Sequence, residues 1–118
     1  MDKTDLQKRT KHYALRIIKL VKALPNTTEG RTVGNQLVRC GTSVGANYRA
    51  VCRARSTAEF IAKLGIVIEE ADEASFWLEI IIDAKLINAV LVEPLLKETN
   101  EILAIMIASS NTARKKKK

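Results

Sequence analysis

Residues 39–56 read RCGTSVGANYRAVCRARS. Arginines stand at 39, 49, 53 and 55, glycines at 41 and 45, and cysteines at 40 and 52, with no acid to offset the charge. The stretch is either a glycine loop that grips an anion or a helix that carries glycines for a reason. Spacing decides. From Arg31 to Arg55, Val33, Leu37, Cys40, Val44, Tyr48 and Val51 recur at steps of three or four and form a narrow apolar stripe. Gly34, Gly41, Gly45 and Cys52 line one edge of it. Arg31, Asn35, Thr42, Arg49 and Arg53 take the far side, with Arg39 close by. A loop does not sort its residues this way, and the spacing of a phosphate-cradling glycine loop is missing. The stretch is therefore expected to be helical, with the glycines as a close-packing ridge. Each interior glycine costs about 1 kcal/mol relative to alanine, so tight packing must offset it.

The flanking segments extend the pattern. Over residues 4–24, Leu6, Thr10, Tyr13, Ile17, Val21 and Leu24 form one helical stripe. Lys8, Lys11, His12, Arg16, Lys19 and Lys22 fall opposite, Arg9 flanks the stripe, and Leu15 and Ile18 interrupt the basic side. No acid lies between Leu6 and Leu24. Pro25 stops this helix, and residues 25–30 are the loop. Ser56 with Glu59 three residues later predicts a capping box that opens a third helix. Its core stripe is Phe60, Ile61, Leu64, Val67, Ile68, Ala71, Leu78 and Ile82, and Ile66, Trp77, Ile80 and Ala84 make a second stripe. Pro94 suits the first turn of a fourth helix. Four helices with short connections predict an all-α, antiparallel up-and-down bundle over residues 1–113, with residues 114–118 as a flexible basic tail.

The third and fourth helices carry more apolar surface than one bundle core needs. Ile66, Trp77, Ile80 and Ile105 are therefore expected at a subunit interface, making the bundle oligomeric.

Charge is unevenly placed. The 118 residues carry a net charge of +7. The balance is +9 over residues 1–55, −7 over 56–113 and +5 in the final RKKKK. No stretch is long and apolar enough for a signal peptide or a membrane span, so the expected location is the cytoplasm. There the two cysteines are expected to be reduced. Cys40 and Cys52, 12 residues apart on one helix, stand about 18 Å apart and cannot bridge each other.

Catalytic and metal chemistry find little support. His12 is the sole histidine and sits on a basic face. No CxxC pair and no Glu-x-x-His pair is present, so no catalytic residue, no metal site and no cofactor is expected. Glu69, Glu70, Asp72, Glu73, Glu79 and Asp83 are expected to pair with the arginines of the second helix. Trp77 and Tyr48 are expected to pack, not to stack on bases.

Three motifs carry a family resemblance. They are Arg39, Ser43, Val44 and Asn47 as R-x-x-x-S-V-x-x-N; Arg53, Arg55, Ser56, Glu59 and Phe60 as R-x-R-S-x-x-E-F; and Glu70, Ala71, Glu73, Trp77, Leu78 and Glu79 as E-A-x-E-x-x-x-W-L-E. With them the chain resembles the small bacterial four-helix-bundle proteins encoded by intervening sequences inside large-subunit ribosomal RNA genes. Many members read N-I-A-E-G where this chain reads NYRAV from Asn47, so it resembles a more basic subgroup. The resemblance implies a ring-like homo-oligomer, a pentamer, without a cofactor.

Two functions follow as expectations. The first is nucleic-acid binding, foremost RNA, through Lys8, Arg9, Lys11, Arg16, Lys19 and Lys22 with Arg49 and Arg53, because phosphate contacts supply affinity without a sequence motif. The second is an interaction scaffold for a protein partner, carried by the surplus apolar surface. Neither a membrane nor a small-molecule substrate is expected as a partner.

Overall fold

The computed structural model describes residues 1–117, and Lys118 lies outside it. The Asp2 carboxylate accepts from the Asp5 N–H at 2.9 Å, and the Asp5 carboxylate accepts from the Asp2 N–H at 3.4 Å. This reciprocal cap opens α1 (Lys3–Lys22), which buries Leu6, Thr10, Tyr13, Ile17 and Leu20. Thr27 caps α2 (Thr28–Cys52) by accepting from the Gly30 N–H at 3.1 Å. Gly30 lies against the Pro25 carbonyl, where no side chain would fit. The stretch 39–56 is thus helix up to Cys52, followed by a short connection.

Ser56 caps α3 (Thr57–Asp83), its hydroxyl accepting from the Glu59 N–H at 3.1 Å. Glu59 does not return the bond expected of a capping box. Its carboxylate instead pairs with Lys63 Nζ, one turn on, at 3.3 Å. α3 ends in a Schellman turn. The Lys85 N–H donates to the Ile82 carbonyl and the Leu86 N–H to the Ile81 carbonyl, both at 3.1 Å. Lys85 pays for this turn with a left-handed backbone, φ 56°.

α4 (Ala89–Lys117) begins earlier than Pro94 suggests. Asn88 Oδ1 accepts from the Val90 N–H at 3.0 Å and does the work of a cap, so Pro94 falls inside the helix. A proline there removes one helical hydrogen bond. The sequence places the start too late because proline is favoured in a first turn, whereas a lone Asn88 is a weak cap signal. At the other end the helix runs through Arg114 to Lys117, so the basic stretch set apart as a tail begins as helix.

The helices pack in chain order, and α1 also meets α4, which closes a four-helix bundle of 49 × 22 × 19 Å. Leu37, Val44, Leu64, Leu78, Ile102 and Met106 fill its centre. The glycine ridge is the α1–α2 seam. A methyl built on Gly41 would stand 2.8 Å from Ile17 Cγ1, and one on Gly45 would stand 3.2 Å from the Thr10 carbonyl oxygen. Gly34 meets Val21 in the same way. Contacts therefore climb α2 as they descend α1.

The α1–α4 seam is polar as well as apolar. Tyr13 Oη and Thr99 Oγ1 lie 2.6 Å apart in the core. Thr99 already donates to the Leu95 carbonyl at 2.8 Å, so the tyrosine is the donor.

Candidate nucleic-acid interface

The basic residues read from α1 do not form one surface. Arg9 turns to α4. Its Nε and Nη2 donate to Glu98 at 2.8 and 2.7 Å, and Nη2 also reaches Glu101 at 3.1 Å. The Arg9 guanidinium holds the Glu98 carboxyl below the usual carboxylate range, against an opposing push from partial burial. Arg9 thus stands apart from the other cations, and nothing in its own helix shows this, because both acids lie about 90 residues downstream. Arg16 and Lys19 line a shallow groove between α1 and α4 with Leu20, Ala23, Leu91 and Leu95. Lys8 and Lys22 are exposed. Leu15 and Ile18, the two apolar interruptions, are also exposed, at 57% and 37%.

Lys11 takes a different direction. It joins Arg49 of α2 and Arg53, the C-cap of that helix, along an open groove of about 560 Å³ between α1 and α2. Thr42, Gly45, Ala46, Ala50 and Ala14 also line it. These small side chains follow from the ridge: a seam close enough to need Gly45 leaves little bulk above it. Lys63 of α3 completes the lining. Among the described residues no carboxylate lines this groove, and Lys11, Arg49 and Arg53 are in no ion pair. Lys63 is the one lining cation with a partner, Glu59. Sequence reading missed Lys63, since only the packing of α3 on α2 brings it here. Arg49 in the last turn of α2 and Arg53 at its C-cap stand about 6 Å apart along the axis in their backbone positions.

The acids gather elsewhere. Arg39 bonds to Glu70 at 3.3 Å and to Glu73, the α2–α3 pairing expected from sequence. Glu73 also accepts from Trp77 Nε1 at 3.2 Å, and Phe76 meets Trp77 edge to face at 5.0 Å. Of the residues expected at a subunit interface, Ile66 is 46% exposed, while Trp77, Ile80 and Ile105 are half-buried against the core. Phe76 is 52% exposed and was not singled out from sequence, because it falls between the two stripes. Ile105 lies apart, in a larger groove of about 690 Å³ at one end of the bundle, with Lys3, Arg55, Phe60 and Lys116.

No cysteine or histidine lines the groove. The Cys40 thiol is buried and pushed up to about 12, chiefly by burial, so it stays protonated. His12 is exposed on α1. Among the described residues no cluster of His, Cys, Asp or Glu could hold a metal ion, and no helix is long and apolar enough to cross a membrane.

The chain matches the 23S rRNA-intervening sequence protein family over residues 2–108. It belongs to that family. The match spans all four helices and stops before the basic end of α4. A crystal structure of a Bacteroides thetaiotaomicron protein of unknown function, from the S23 ribosomal protein family, superposes with a TM-score of 0.85. The two chains are 33% identical, and the alignment covers 94% of this chain and 99% of that one. No curated protein matches. The intervening-sequence protein fold expected from the three motifs is thus the fold found.

Proposed function

We propose that this intervening-sequence protein is a non-enzymatic nucleic-acid-binding bundle, antiparallel and up-and-down, that grips phosphates of RNA in its α1–α2 groove. The observation that carries the reading is the convergence of Lys11, Arg49 and Arg53 on one groove without a lining carboxylate. Free cations beside a floor of small side chains let a phosphate backbone approach closely. Each phosphate neutralised releases counterions, which drives binding at low salt. Arg16, Lys19, Lys8 and Lys22 extend the field along α1. The family's link to 23S rRNA by name fits RNA as the ligand and the cytoplasm as the place of work.

Self-assembly belongs to the same reading. The exposed Ile66 and Phe76, beside the half-buried Trp77 and Ile80, make an apolar strip on α3 that a second copy would cover. A homo-oligomer, a pentamer by the resemblance, multiplies one weak groove into several. A different protein partner on this strip is the alternative.

Anisotropy of a labelled RNA at about 50 mM salt tests the proposal. The native protein binds. The Lys11→Glu, Arg49→Glu, Arg53→Glu variant keeps its helical circular dichroism and loses binding to every sequence alike, because phosphate contacts position without specifying. A native protein that leaves the RNA free to tumble overturns the reading.

A further inference from the structure

We infer that the basic surface selects double-stranded over single-stranded RNA. The inference rests on the nucleic-acid reading above and follows from where the aromatic rings are. Proteins that hold single strands stack the bases on aromatic side chains, and that stacking supplies much of their affinity. This chain has five aromatic residues, one Trp, two Tyr and two Phe. Tyr13 and Tyr48 are core residues, 1% and 5% exposed. Phe60 is half-buried in the end groove beside Ile105. Phe76 and Trp77 meet edge to face on α3, where Glu73 accepts from the indole N–H. None of the five lines the α1–α2 groove or the α1–α4 groove. The cations therefore stand without a stacking platform. The guanidinium planes of Arg49 and Arg53 in the first groove, and of Arg16 in the second, are the flat charged groups left there. A few guanidinium faces make a small surface compared with the aromatic rings on which single-strand binders stack successive bases.

Rigidity points the same way. Lys8 to Lys22 span about 21 Å of one helix, and Arg49 lies on a second helix packed against it, with Arg53 at that helix's C-cap. Cations mounted at helical spacing suit phosphates at regular spacing. A duplex presents about twice the charge per unit length of a single strand and is already straight, whereas a flexible strand must first be ordered along the protein. The groove floor of Gly45, Ala46 and Ala50 offers no aromatic plane on which an unstacked base could stack.

The experiment compares two unlabelled competitors against one labelled RNA bound to the full chain. One is a blunt RNA duplex of about 16 base pairs, and the other is oligouridine of about twice that length, so that total phosphate is equal. The expected result is that the duplex competes on the order of tenfold more strongly. Equal competition, or stronger competition by oligouridine, overturns duplex selection and leaves the phosphate-groove reading standing. Absence of binding to any RNA overturns both.

Discussion

Arg9 and Glu98, 89 residues apart in sequence, are joined by two charge-assisted hydrogen bonds of 2.7 and 2.8 Å across the α1–α4 seam. The pair removes one cation from the basic surface and ties α1 to α4. Both side chains are about four-fifths buried, so solvent screens the pair less than it would a surface contact.

Acid should therefore loosen the bundle. Glu98 titrates below its unfolded value of about 4.3. A group lowered on folding contributes stability above its unfolded value, and that contribution is lost as pH falls through the folded value. Glu98→Gln should cost about 1–2 kcal/mol at neutral pH and flatten the loss in acid. Urea titrations of parent and variant from about pH 7 to about pH 3 check this. An unchanged acid dependence would show that the pair carries no linkage.

The glycine ridge gives a paired test. A methyl at Gly41 meets Ile17 at 2.8 Å, whereas one at Gly65 meets nothing within 4 Å. Gly41→Ala should destabilise by about 1–3 kcal/mol, as overpacking does. Gly65→Ala should stabilise by about 0.5–1 kcal/mol through helix propensity alone. Thermal melts of the two variants should move in opposite directions.

The turn after α3 offers a third. Lys85 holds φ 56°, which costs a side-chain-bearing residue but not glycine. Lys85→Gly should raise stability by up to about 1 kcal/mol, read from the denaturation midpoint at unchanged slope. A lower midpoint would mean that the Lys85 side chain contributes more than the turn costs.

The resemblance motifs and the apolar stripes made the helices and the family legible in the sequence. Val33, Leu37, Cys40, Val44, Tyr48 and Val51 repeat at helical spacing, and all six are buried. The glycine ridge was legible for the same reason: periodicity is local. What needed the fold was every partner far away in the chain. Arg9 looked like its neighbours until α4 supplied Glu98, and Lys63 looked unremarkable until α3 met α2. The start of α4 was misplaced because Pro94 is a strong local signal and Asn88 a weak one.

Assembly is tested on α3. Light scattering should report a multiple of the 13.1 kDa chain. Ile66→Asp should reduce that mass while leaving the helical signal intact, because Ile66 is exposed within the single chain. A parent that stays at 13.1 kDa removes self-assembly and leaves the strip to a different protein partner.

The salt dependence of RNA binding tests the phosphate groove most directly. For a duplex, the logarithm of affinity falls with the logarithm of salt by about 0.9 for each phosphate contacted. Removing Lys11, Arg49 and Arg53 together, as alanines, should make that slope shallower by about 2–3. The variant Arg9→Ala, whose cation is already paired with Glu98, should leave the slope near the parent value. A triple variant with the parent's slope would place the phosphate contacts elsewhere and contradict the groove.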